Sequence, residues 1–269
     1  MSHVARCAGE PSYTRRFLLG AAAVLLGGSV ASAAMSPDDP IARVGGYFLT
    51  QYGGPDGPLA STNLISAMGS VSGLFAQLKA RALLQSGVWK QDDNSFTRAT
   101  TADGQTFFFG DAPNVALYGA VSQRLEDHYG HGPEGLGLWN YVAAAARDPK
   151  IGSEVDIGEI AQHTAESLGS SAFGVPRAPA GFQPSEPPLT ALGRHARPLW
   201  DEFKRLEVSP DDYTRVFGLA TQNMIPWTAG ERGVAASPKM PAAIAVRLFM
   251  EAAIPMAKVD PHIVGVPPL

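Results

Sequence analysis

The run from Met240 to Met256, MPAAIAVRLFMEAAIPM, holds only two charged residues, Arg247 and Glu251, four positions apart. A helix of that composition is apolar on every side and has no face to give to water, so it belongs in the interior of its domain. Other helices must then wrap it, each with an apolar stripe turned inward. The charged pair shares one surface of the helix. An ion left alone in a core is strongly destabilising, so Arg247 and Glu251 are expected either to close each other's charge at the rim of the core or to line a cavity.

The wrapping helices are legible as periodic patterns. In STNLISAMGSVSGLFAQLKARALLQSG, the residues Leu64, Met68, Val71, Phe75, Leu78 and Ala82 alternate steps of four and three, which is one helix face. Ser61 or Thr62 is placed to cap its start and Gly87 to close it. DIGEIAQHTAESLG repeats the pattern with Ile157, Ile160, Ala161, Thr164 and Leu168, and Gly169 as a stop. LTALGRHARPLWDEFKRLE lines up Leu192, Ala196, Leu199 and Phe203, with Pro198 expected to kink it. LGLWNYVAAAAR reads as a further helix. SPDDYTRVFGLATQNMIPW starts with a serine-proline pair and two acids suited to the positive end of a helix dipole, and SPKMP repeats the serine-proline start.

Strand chemistry is confined to NSFTRATTADGQTFFFGD, where two β-rich runs flank an Asp-Gly turn. Residues 35–60 are dense in glycine and proline and read as an irregular leader. The expected fold is mainly α: a single domain over 61–269 of about six helices, with a small β-hairpin near its N-terminal end. An α+β arrangement is the alternative.

Apolar residues make up 45% of the chain and charged residues 17%, which is a globular composition. The net charge of −4 comes without a stripe of lysine and arginine, so nucleic acid is not an expected partner. The one cysteine, Cys7, lies far upstream of the helical region, which leaves that region no thiolate for catalysis or metal binding.

Upstream of the domain stands SYTRRFLLGAAAVLLGGSVASAAMS. Arg15 and Arg16 precede a short apolar stretch that ends in the small residues Ala31, Ser32 and Ala33, the makeup of a signal peptide over 1–34. The paired arginines with Leu18 and Leu19 just behind them resemble the twin-arginine class of export signal. That resemblance implies the export machinery as a partner, passage in the folded state, and a periplasmic or secreted location. About ten strongly apolar residues fall short of the roughly 20 that a spanning helix needs, so no stable membrane span is expected after cleavage. A start at Met35 would instead give a cytoplasmic scaffold.

Several residues are candidates for chemistry. EDHYGHGPEG places His128 and His131 three apart beside Glu126 and Asp127, a possible metal site. Its glycines also spell G-x-G-x-x-G, but SQRLEDHY before them is helical in character, whereas a dinucleotide loop needs a buried strand there. A solvated corner between helices explains the glycines better. Glu159 and His163 stand four apart, so the carboxylate can orient the imidazole as a base. His195, between Arg194 and Arg197, reads as a surface residue. Two loops, TFFFGDAPN and SAFGVPR, share an order of aromatic, glycine and then charge, and nominate Asp111 and Arg177 as pocket-rim residues beside Arg247 and Glu251. No hydrolase elbow, P-loop or zincin pattern occurs, and no pattern names a cofactor. The leading expectation is an exported protein that binds a ligand or partner. The alternative is a periplasmic hydrolase or metal-dependent enzyme using His163 with Glu159, or His128 with His131.

Overall fold

The structure, a computed structural model, describes residues 39–54, 57–130 and 136–267. In chain order its elements are α1 (Pro40–Tyr52), β1 (Leu59–Ala60), α2 (Ser61–Gln85), β2 (Thr97–Thr100), β3 (Thr106–Phe109), α3 (Asp111–Tyr118), α4 (Gln123–Tyr129), α5 (Leu138–Ala144), α6 (Ile151–Glu154), α7 (Ile157–Glu166), α8 (Pro188–Arg205), α9 (Tyr213–Thr228), β4 (Ala236–Ser237) and α10 (Ala242–Met256). The fold is mainly helical with a small β element, as the residue patterns indicate.

Two helices, α2 and α10, pack against each other at its centre. The expected face of α2, from Leu64 through Leu78, is wholly buried. So is most of its other side, including Ser66, Ser70, Ser72, Gln77 and Lys79. Small polar residues can be buried there because they are bonded within the helix: Ser70 donates to the carbonyl of Ser66 (2.8 Å) and Ser72 to that of Met68 (2.6 Å). Gly69 and Gly73 lie against the backbone of α10. A Cβ on either would collide with the carbonyl oxygen of Phe249 or Ala253. Gln77 completes the contact by donating to the carbonyls of Ala257 (2.9 Å) and Val259 (3.2 Å), where the chain leaves α10.

The other helices close around this pair. Leu192, Ala196, Leu199 and Phe203 of α8 all face inward, and α8 runs through Pro198 as one element. Phe75 of α2 collects Phe203, Tyr213 and Phe217 at centroid separations of 4.9 to 5.2 Å, with Trp200 further out. Strands β2 and β3 form the expected antiparallel hairpin, Thr97 opposite Phe109 and Thr100 opposite Thr106, with Gly104 at φ +86° in the turn.

Four details differ from the sequence expectations. Residues 40–52 of the irregular leader form α1, capped by the Asp39 side chain on the Ile41 N–H (2.9 Å), with Val44, Phe48 and Tyr52 buried at steps of four. Gly45-Gly46 and Gly53-Gly54 disguise that spacing in the sequence. The start of α2 is capped by Ala60 without a side-chain bond, and Ser61 turns to the Leu59 carbonyl instead. The second serine-proline pair does not open a helix. Ser237 ends β4, a two-residue parallel partner of β1, and α10 begins after Pro241. Ten α-helices stand among the described residues where about six are expected, and positive-φ turns at Gly119, Gly130 and Arg147 help split the 111–166 region into short pieces. Among the described residues, no helix is long and apolar enough to cross a membrane. The leader with Arg15 and Arg16 lies outside the described residues.

Candidate functional site

The side-chain cluster of most chemical interest is built on α7 and α10. Asp156 caps α7 by accepting the Glu159 N–H (3.0 Å). Ile157, Ile160 and Thr164 form the buried face of that helix, which packs on α10. Glu159 and His163 then follow one turn apart along the rim of the contact. Past α7 the chain turns at Gly169 (φ +72°) and again at Gly174 (φ +72°), where a Cβ would lie 2.7 Å from the Met256 methyl. Only glycine satisfies both that dihedral and that space. The second turn brings Val175 and Arg177 over α10.

His163, Arg177 and Glu251 thereby line one cleft. Glu159 and Arg247 join it through ion pairs. Arg177 holds one Glu159 oxygen at 2.8 Å, the other lies 4.0 Å from Arg247, and Arg247 donates from Nε to Glu251 Oε1 at 3.0 Å. The Glu251 side chain is only 3% exposed, and its second oxygen, Oε2, is buried without a hydrogen-bond partner. Free space in the cleft is about 10 Å³, the scale of a single water molecule.

Five of the residues nominated from sequence, Glu159, His163, Arg177, Arg247 and Glu251, are therefore brought together. The pairing inside the group differs from the one expected. Glu159 is turned to the two arginines and makes no hydrogen bond to His163 among the described residues, so it does not orient that ring as a base. The guanidinium groups are the stronger partners for a carboxylate.

Asp111 lies elsewhere. It opens α3 and accepts from Arg124 (2.5 Å), which also approaches Asp92 at 3.5 Å. His128 belongs to this second cluster. Its Nδ1 donates to the Arg124 carbonyl (2.9 Å) and its Nε2 lies 3.6 Å from Asp92, a carboxylate from the loop between α2 and β2. His131 lies outside the described residues. Among the described residues, no three of His, Cys, Asp and Glu are grouped as metal ligands. The residues before Gly130 are helix α4, so a helix and not a strand leads into the glycine pattern, of which Gly132 and Gly135 lie outside the described residues.

The two similar loops meet. Phe107 of TFFFGDAPN and Phe173 of SAFGVPR pack edge to face at 4.9 Å, and the glycine in each phrase has positive φ. In SAFGVPR the turn at Gly174 comes straight after the packed Phe173, whereas in TFFFGDAPN the packed Phe107 stands three residues before Gly110.

No protein-family model, curated protein or solved structure matches this chain, so the geometry of its sites is what bears on function.

Besides Lys79, two further basic residues are buried in surroundings that the sequence reading does not announce. His195 is not at the surface but wholly buried, between Tyr47 on Nδ1 and Tyr52 on Nε2, each at 2.9 Å. Arg194 Nε points at the same Nε2 (3.0 Å), so Nε2 must accept and the ring proton sits on Nδ1. Burial first, and the Arg194 charge second, push this histidine down to a pKa of about 4. Glu186 and Arg194 close the network at the Tyr52 hydroxyl, whose proton affinity is raised by burial and by Glu186. The signal was available: His195 falls three after Leu192 and four before Leu199, on the apolar face of α8. Lys258, just beyond α10, is buried with its Nζ donating to Asn114 (2.7 Å), and burial lowers its pKa to about 7. Neither His195 nor Lys258 lines the cleft beside Glu251 or a proline-lined depression next to it.

Proposed function

We propose that the chain is an exported binding protein whose recognition site is the cleft between α7, the 167–187 loop and α10. One observation carries this reading: Glu251 Oε2, a buried carboxylate oxygen with no donor. Leaving such an acceptor unsatisfied costs about 1–3 kcal/mol, and more when it is charged. In a native chain such an acceptor is met from outside the chain, by a water, an ion or a bound guest, and a guest is the reading that gives this site a role.

The size of the cleft favours recognition over hydrolysis. Pockets that enclose a small-molecule substrate run to about 300–1,000 Å³, against about 10 Å³ here. A terminal group of a larger guest fits; a scissile bond with its attacking water does not. The hydrolase alternative also loses its orienting carboxylate, since Glu159 is held by Arg177 and Arg247. Export is supported by the twin-arginine-like leader and its small-residue end.

A thermal-shift screen of the purified protein against small amines, amino acids, carboxylates, alcohols and sugars tests this reading. The expected result is stabilisation by at least one class, lost in Glu251→Gln. No stabilising compound, or a His163-dependent hydrolysis of ester or amide probes, would count against it.

A further inference from the structure

The lining of the cleft specifies its guest more closely, because it can both give and take hydrogen bonds. Glu251 Oε2 is an acceptor without a donor. Thr164 and Ser167 add hydroxyl oxygens whose protons are already given to the Ile160 and Thr164 carbonyls (2.9 and 3.3 Å). Donors stand beside these acceptors. Arg177 turns Nη1 to Glu159 (2.8 Å), and a guanidinium has five N–H in all, so it keeps donors to spare. His163, on the same lining, has in its neutral form one N–H to give and one lone pair with which to accept.

Charge and size narrow the choice. Glu159 and Glu251 set two negative formal charges against the two positive ones of Arg177 and Arg247. A cluster balanced in this way has no counter-charge left for an ionic guest, and an ion taken out of water without one is strongly penalised. An ammonium or a carboxylate is therefore a poor fit and a neutral group a good one. The free space of about 10 Å³ holds one water, hence one oxygen atom and not the three heavy atoms of a carboxamide. The neutral group that gives one hydrogen bond, takes others and fills one heavy-atom position is the hydroxyl.

The mouth of the cleft bears on what carries that hydroxyl. The side chains of Arg177 and Glu159 are 36% and 48% exposed, so this ion pair stays open to solvent at the edge. Further hydroxyls on the same carbon frame can accept from the guanidinium and donate to the carboxylate there. Val175, 51% exposed and also on the lining, offers an apolar surface to the C–H face of a small ring.

From this geometry we infer that the cleft binds a neutral polyol, a sugar or cyclitol, through one hydroxyl that donates to Glu251 Oε2 and accepts from Arg177. The inference rests on the cleft being the recognition site, and the test separates the two. Amide chemical shifts of the ¹⁵N-labelled protein, read over 160–177 and 247–255, are followed at neutral pH with myo-inositol, cyclohexanol, cyclohexylamine, cyclohexanecarboxylate and N-acetylserinamide. All but the last share one ring frame. Inositol is expected to bind more tightly than cyclohexanol, whose single hydroxyl leaves the mouth unused, and to outbind both the amine and the carboxylate. Glu251→Gln and Arg177→Met should each weaken inositol roughly tenfold or more, the effect of losing one hydrogen bond to a charged group.

The amine or the carboxylate binding as tightly as inositol, or inositol binding untouched by both substitutions, would overturn the assignment. Cyclohexanol or N-acetylserinamide outbinding inositol would overturn the polyol and make an alcohol or a serine side chain the source of the hydroxyl. If a charged probe binds best and Glu251→Gln abolishes that binding, the cleft stands and only the ligand class is wrong. If neither these probes nor the wider screen gives any binding, both statements fall. Should Glu251→Gln not fold, Arg177→Met, at a partly exposed position, and the comparison among probes still decide.

Discussion

His195 shows how a residue's surroundings become a property of the whole protein. Its ring is held neutral by burial and by Arg194, with the pKa at about 4. In the unfolded chain a histidine titrates near 6.5. Below about pH 6.5 the unfolded state binds a proton that the folded state refuses until pH 4, so the neutral ring's contribution is intact above 6.5 and is lost as pH falls toward 4. The loss is on the order of 3 kcal/mol across that window. Urea unfolding of wild type and His195→Gln at pH 7 and pH 4.5 should show their stability difference shrinking in acid. A difference that is the same at both pH values would mean the ring does not titrate in this way. Glycines allow an equally direct contrast. Gly73→Ala drives a methyl into the α10 backbone and should cost roughly 1–3 kcal/mol or more. Gly46→Ala, in α1 with open space around it, should instead stabilise by about 0.5–1 kcal/mol. The two urea midpoints should move in opposite directions.

Among the elements, α7 is the one that positions the cleft. Its face was readable from sequence because Ile157, Ile160 and Thr164 keep helical spacing and Asp156 stands at the cap position. Asp156→Ala removes the bond to the Glu159 N–H and should cost about 1 kcal/mol in a thermal melt. Because Glu159 is the next ion-pair partner along, it should also weaken whatever binds beside Glu251. A melt shift without any change in binding would show that the first turn of α7 does not control the cleft. Other elements hid from the sequence for physical reasons. Helix α2 reads as amphipathic because hydropathy counts Ser66, Ser70 and Ser72 as polar, although two of those hydroxyls are bonded inside the helix. Helix α1 reads as loop because its glycines dilute an apolar spacing that only its packing on α9 reveals.

At the scale of the molecule, an acidic surface and a central α2–α10 pair belong to a body that is proposed to travel folded. That proposal predicts a specific behaviour. Arg15→Lys with Arg16→Lys should leave the full-length chain in the cytoplasm, while the unmodified chain is recovered outside it with its N-terminus just past Ala33. Export that continues in the double variant would argue for another route. Cytoplasmic retention of the unmodified chain would favour the scaffold reading with a start at Met35.

The sequence alone determined that the 240–256 run is interior, that amphipathic helices surround it, that a hairpin forms at Asp103-Gly104, and which charged residues merit attention. These follow from spacing and turn chemistry, which act over a few residues and are written into the local order. Tertiary structure alone decided which of those charges meet. Glu159 and Arg177 are 18 positions apart and Glu159 and Arg247 are 88 apart, and no local rule fixes their approach. It follows from how closely α7 and α10 pack and from the two glycine turns that lay the 167–187 loop across them. The same packing separated Asp111 from Arg177, buried His195, and left one carboxylate oxygen on α10 without a donor.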